Sequence, residues 1–318
     1  VSALAQLQGQ PFVSRVLGSA LQAQRPASAY LFFGPSGCGK KTAASALAQA
    51  LLCREAPGEG CLSCSACRRV AAHKHPDFFL VQPQGMSLKV EQVRELLKEA
   101  SMRPFEAPRR VMVLDQAELM SLEAANALLK VLEEPNAALV FVLVTTRIAK
   151  ILPTIASRCQ ALRFAPLPDK VLSQLLVEQL GLDPKAAHNL AGLSAGSFSM
   201  AKRLSGESGA ELRELAEAFL EAAATRSTLG LLDWAHRVGA EKKRLDEILD
   251  LVLAYMRELW VEKSALPKEL RILSEPPKHG GGLGVQRLQE LMLAVSRAQG
   301  QIRRNANLPL VLENMALS

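Results

Sequence analysis

Residues 29–52 read AYLFFGPSGCGKKTAASALAQALL, and no other stretch limits the fold as strongly. A short apolar run, Ala29–Phe33, reads as a buried strand. Lys40–Leu52 reads as a helix, and the turn between them nearly spells G-x-x-x-x-G-K-[ST]. In such a strand–loop–helix unit the glycines let the backbone approach a phosphate, and N–H groups at the helix start cradle it. Gly34, Gly37, Gly39 and Lys40 fit these roles, with Lys40 reaching the outer phosphates. The next position should carry a hydroxyl for magnesium, but it holds Lys41, whose charge repels a metal. Thr42 does not repair the loss, because one step along a helix rotates a side chain by about 100°. The alternative is a Gly-rich turn before an ordinary helix.

The rest of the first half keeps this rhythm. DFFLVQP (Asp77–Pro83), RRVMVLD (Arg109–Asp115) and LVFVLVTT (Leu139–Thr146) are apolar runs bounded by polar residues or turns. Helical stretches such as Val90–Ser101 and Leu122–Leu132 lie between them. The alternation predicts a mostly parallel sheet covered by helices over residues 1–165. Strands then stop. Residues 166–207 read as a small helical unit and residues 208–318 as a longer helical region with one loop at Glu275–Gly284. A chain of 318 residues suits two or three domains. Aromatic residues are only 4%, which predicts a core of Leu, Ala and Val.

Asp115 ends an apolar strand, the position from which an acid holds the metal in a nucleotide hydrolase with such a loop. Its neighbour is Gln116 where a base is often found; an amide orients water but accepts no proton. A helix-capping role for Asp115 is the alternative.

Cys53, Cys61, Cys64 and Cys67 follow C-x7-C-x2-C-x2-C within one insertion, residues 53–67. Four thiolates so grouped suit tetrahedral zinc, and a closed shell makes the role structural. Disulfides are the rival, disfavoured in a reducing compartment. His73 and His75 read as surface or packing residues. The start of the sequence lacks a charged-then-apolar signal segment, which predicts a protein that stays in the cytoplasm. No apolar run reaches the roughly 18 residues of a membrane span. The net charge of +7 is compatible with nucleic-acid contact, but the basic residues are scattered.

The loop, the cysteine insertion, ANALLKVLEEP (Ala125–Pro135), LPTIASRCQALRF (Leu152–Phe164) and QIRRNANLPLVLENMAL (Gln301–Leu317) together resemble the bacterial sliding-clamp loader, an AAA+ assembly. The resemblance implies an α/β AAA+ (P-loop) domain, a small helical lid and an all-α collar. Two related subunit types carry this architecture: a motor (gamma or tau) that hydrolyses ATP, and a stator that does not drive hydrolysis. A motor needs a hydroxyl after the loop lysine, an Asp-Glu pair on the strand and an arginine in the lid helix. Here these positions read Lys41, Gln116 and Ser199, so the chain is similar to the stator. The resemblance makes Arg158, in Ser157-Arg158-Cys159, an arginine finger that reaches a neighbour's ATP; a surface salt bridge is the alternative. Cys159 reads as packed rather than reactive. Lys130 is placed near DNA phosphate, whereas Glu133 and Glu134 read as solvated charges. Implied partners are other loader subunits, the sliding clamp and primed DNA. ATP or ADP at the loop stays open, magnesium is not expected there, and no polymerase metal site is present. A motor subunit and a zinc-containing DNA-binding protein with a vestigial AAA+ fold are the competing readings.

Overall fold

The computed structural model describes residues 2–317 except 86, 135, 242–243, 265, 268–269, 274–276, 303 and 305. Pro135, Glu275, Pro276, Arg303 and Asn305, each part of a stretch singled out above, lie outside the described residues. The chain divides into two compact units, residues 1–167 and 168–318.

In the first unit α1 (Pro11–Gln22) precedes β1 (Ala29–Phe33), α2 (Lys40–Leu52), α3 (Ser65–Ala71), β2 (Phe78–Val81), α4 (Val90–Ser101) and β3 (Arg110–Leu114). There follow α5 (Leu122–Glu133), β4 (Leu139–Thr145), α6 (Pro153–Ala156) and β5 (Gln160–Arg163). The five strands form one sheet in the order β2-β3-β4-β1-β5, and every pairing is parallel. All seven residues of β4 are buried, as expected of a central strand covered on both faces. Successive side chains of a strand point to opposite faces. Tyr30, Phe32, Val111, Val113, Val140 and Val142 accordingly pack with Leu17 of α1 and Leu47 of α2. Leu31, Met112, Leu114, Phe141 and Leu143 pack with Leu96 of α4 and Leu128 of α5. The alanines of α2 serve the same packing: Ala43, Ala44, Ala46, Ala48 and Ala50 are all buried.

The strands expected from sequence are present: β1 has the expected bounds, and β2, β3 and β4 are shorter than the stretches read for them. Strand β5 was not among them. Only Leu162 of its four residues is buried, so it carries almost no alternation to read.

The second unit contains helices and, among its described residues, no strand. It comprises α7 (Asp169–Leu180), α8 (Pro184–Leu193), α9 (Phe198–Ser205), α10 (Glu207–Ala224), α11 (Thr228–Ala240), α12 (Leu245–Lys263), α13 (Val285–Ile302) and α14 (Leu308–Leu317). Asp183 caps α8 by accepting from the N–H groups of Lys185 and Ala186, and Pro184 takes the first helical position. Phe219 and Trp234 pack with ring centroids 4.8 Å apart, and the indole N–H donates to Leu215 O at 2.7 Å. Among the described residues no helix is long and apolar enough to cross a membrane.

Candidate nucleotide loop, arginine turn and cysteine cluster

A parallel sheet brings the carboxyl ends of its strands to one edge, where ligands of α/β folds bind. Gly34 follows β1, Asp115 follows β3 and Thr145 ends β4, so all three lie on that edge. Gly34, Gly37 and Gly39 have φ of 150°, 73° and 96°. A Cβ on Gly34 would lie 2.3 Å from Phe164 O, so only glycine lets the loop pass there. Lys40 is buried, and its ammonium donates to Gly34 O at 2.8 Å and to Pro35 O. It also lies 3.8 Å from Cys38 Sγ, so all three of its donors are turned onto the loop itself. Burial pushes the Lys40 pKa down, opposed by Cys38, Glu118 and Asp115.

The position that departs from the motif has a definite partner. Lys41 Nζ lies 3.2 Å from Asp115 Oδ2. Gln82 donates to the same oxygen at 3.0 Å, and the Gln116 N–H donates to Oδ1 at 3.0 Å. Both oxygens of the acid that would face a metal are therefore engaged, one by a cation. Gln116 takes left-handed backbone with φ 53°, and both its side chain and that of Thr42 are exposed. Sequence reading missed Glu118, whose Oε1 accepts from the N–H and hydroxyl of Thr146. Burial raises its pKa, but hydrogen bonds from Thr146 and Thr145 outweigh that and hold it below the usual value.

Arg158 stands on the turn after α6. Its backbone N–H donates to Ile155 O at 3.1 Å, and Ser157 Oγ donates to Thr154 O at 3.1 Å. One guanidinium nitrogen donates to Thr154 O at 2.9 Å and the other lies 2.8 Å from Glu133 Oε1. Glu133, expected as merely solvated, is thus an ion-pair partner, because the end of α5 approaches this turn. Glu134 and Lys130 are exposed. Cys159 is half-buried against the sheet core, and burial pushes its thiol up to about 11.

Cys53, Cys61, Cys64 and Cys67 converge, with all four sulfurs within 4.8 Å of one another. None is in a disulfide. Zinc at about 2.3 Å from four sulfurs spaces them by about 3.8 Å, and Cys53 Sγ to Cys64 Sγ is 3.9 Å. N–H groups of Cys61, Cys64 and Cys67 donate to the sulfurs of Cys53, Cys61 and Cys64 at 3.3–3.4 Å, the bonds that stabilise thiolate. The donor set fits a closed metal site. Cys61 is lowered to about 6, chiefly by the Ser63 hydroxyl, whereas burial pushes Cys67 up.

Around the cluster lies a charged network that spacing alone could not show. Arg54 and Arg69 both pair with Glu106. His75 is buried; the Asp77 N–H donates to its Nδ1 at 3.1 Å, so its proton sits on Nε2, 3.0 Å from Glu106 Oε1. Burial lowers the His75 pKa, with Glu106 opposing. Asp77 in turn accepts from the N–H groups of Phe105, Glu106 and Ala107 and lies 3.3 Å from Arg110 Nε. His75 is therefore a buried network residue, and His73 stacks on Phe78 with centroids 5.7 Å apart.

A five-stranded parallel sheet with a glycine loop after β1 and an acid after β3 has the architecture of a P-loop α/β protein. Residues 9–168 match the family described as DNA polymerase III, delta subunit, and the chain belongs to that family. It is 40% identical over 185 residues to the DNA polymerase III subunit delta' of Bacillus subtilis, covering 58% of this chain and 56% of that protein. It is 37% identical over 177 residues to the subunit gamma/tau of Mycobacterium tuberculosis H37Rv, covering 55% of this chain and 31% of that protein. The chain thus spans just over half of the delta' relative it matches. A gamma subunit-related protein of Thermotoga maritima aligns with a TM-score of 0.46 at 18% identity, covering 95% of this chain and 97% of that one.

Proposed function

We propose that the chain is a delta prime (stator) subunit of a DNA polymerase III clamp loader. In this reading its partners are gamma/tau and delta subunits, and through them the sliding clamp and primed DNA. The first unit supplies Arg158 to an adjacent motor subunit, residues 166–207 act as a lid, and residues 208–318 join a collar. The observation that carries the reading is the Lys41–Asp115 contact of 3.2 Å. It fills the metal side of the loop with a lysine, which supports a subunit that helps a neighbour's hydrolysis rather than its own. The loop glycines and Lys40 are retained, so ATP or ADP can be held without magnesium. Cys53, Cys61, Cys64 and Cys67 hold one structural zinc. The motor reading draws on the similarity to gamma/tau proteins, but it needs a hydroxyl, a Glu and an Arg where Lys41, Gln116 and Ser199 stand.

A guanidinium on the developing charge of a transferring phosphoryl group accelerates transfer by about 10³–10⁵-fold. The test is Arg158→Ala in the assembled loader, with ATP turnover measured in the presence of clamp and primed DNA. Assembly stays intact, because an exposed ion pair contributes little to stability. Turnover falls in part, since other motor sites keep their own partners. Equal turnover and equal clamp loading by mutant and parent complexes would rule out the trans-acting role.

A further inference from the structure

Arg158 is held in a specific way. The side chain is 35% exposed and its partner Glu133 is 50% exposed, so their 2.8 Å contact is at the surface. A pair so placed adds little to folding. Its effect falls on the guanidinium, a group that otherwise samples many rotamers. Thr154 O takes a donor from one terminal nitrogen at 2.9 Å while Glu133 Oε1 takes one from the other. A guanidinium has five donors in a rigid fork. With two committed to the chain's own acceptors, three remain for another acceptor.

We propose that Glu133 is a positioning residue for Arg158: its carboxylate fixes the guanidinium so that the remaining donors meet the phosphate oxygens of a neighbouring subunit's nucleotide. This rests on the trans-acting reading of Arg158 given above. It ties the end of α5 to the turn after α6, so the function of the turn depends on a residue twenty-five positions earlier in the chain. Positioning of this kind acts through orientation of a group that contacts the transition state, so it shows in kcat.

The experiment uses the assembled loader with ATP, clamp and primed DNA, and compares Glu133→Ala, Glu133→Gln, Arg158→Ala and the double variant Glu133→Ala/Arg158→Ala. Glu133→Ala lowers kcat by about two- to fivefold, the range of an exposed ion pair, and leaves the KM for ATP and assembly unchanged. Glu133→Gln recovers most of the loss, because its amide oxygen still accepts from the guanidinium. The double variant equals Arg158→Ala alone, the signature of one residue acting through the other. Loss with Arg158→Ala but none with Glu133→Ala overturns the role of Glu133 and leaves the arginine reading standing. Additive losses, or a faster Glu133→Ala complex, overturn it as well, showing respectively an independent contact and a restraint. No loss with Arg158→Ala overturns both readings together.

Discussion

At the scale of single residues, Lys41 decides more than any other side chain in the loop. Its side chain is 52% exposed, so its pairing with Asp115 is weak as a stabilising contact. Its consequence is chemical: a cation sits against the carboxylate oxygen that a magnesium ion would need. Asp115 Oδ1 is taken by the Gln116 N–H, and the Gln116 amide cannot accept a proton from water. The isolated chain should therefore turn over no ATP, even with excess magnesium. Lys41→Thr removes the blocking charge but supplies no base, so turnover stays absent in that variant. Steady-state phosphate release from both proteins is the measurement. Release by the parent chain that survives removal of contaminating ATPases would favour the motor reading.

At the scale of elements, the cysteine insertion bridges the end of α2 and the whole of α3, and the network around Glu106 joins it to the segment before β3. The apolar residues clustered with the sulfurs are alanines, so a bound metal would add a constraint that apolar packing there supplies only in part. Purified protein should contain about one zinc per chain by elemental analysis. Cys64→Ser, or stripping with a strong chelator, should lower zinc content and cost about 3 kcal/mol. In a unit of this size that is a fall in Tm of roughly 6–12 °C. Metal-free protein with unchanged Tm would remove zinc from the account. The cysteine cluster was legible in advance because its spacing is local: C-x2-C-x2-C survives in sequence whatever the fold does around it. The Glu106 partners were not, because Arg54, Arg69 and His75 meet Glu106 only through sheet and helix packing, across separations that carry no periodic signal. Glu133 was read as solvated for the same reason. Its charge is visible in sequence, but the approach of Arg158 depends on how α5 and α6 pack.

At the scale of the whole molecule, the α/β half was readable because buried parallel strands are continuous apolar runs, as in β4, and because the glycine loop fixes a strand before it and a helix after it. Strand β5 escaped because an edge strand with one buried residue leaves no pattern. The family match ends at residue 168, and the first compact unit ends at residue 167. The family match and the compact unit thus end together, although the alignment to the delta' relative, over 185 residues, is longer than either. Within that unit, helices cover both faces of the sheet, and the two large apolar clusters, with the partly buried residues packed on them, draw on residues 4–164 and 29–159. Among the described residues nothing in either cluster comes from beyond Leu167, and 167 residues is an ordinary domain size. A fragment of residues 1–167 produced with zinc should fold alone. Its far-UV circular dichroism should show mixed helix and sheet, and its thermal unfolding should be a single cooperative transition. Its zinc content should equal that of the full chain. A fragment that keeps secondary structure but melts without a cooperative transition would mean that the sheet domain takes part of its order from the helices that follow it.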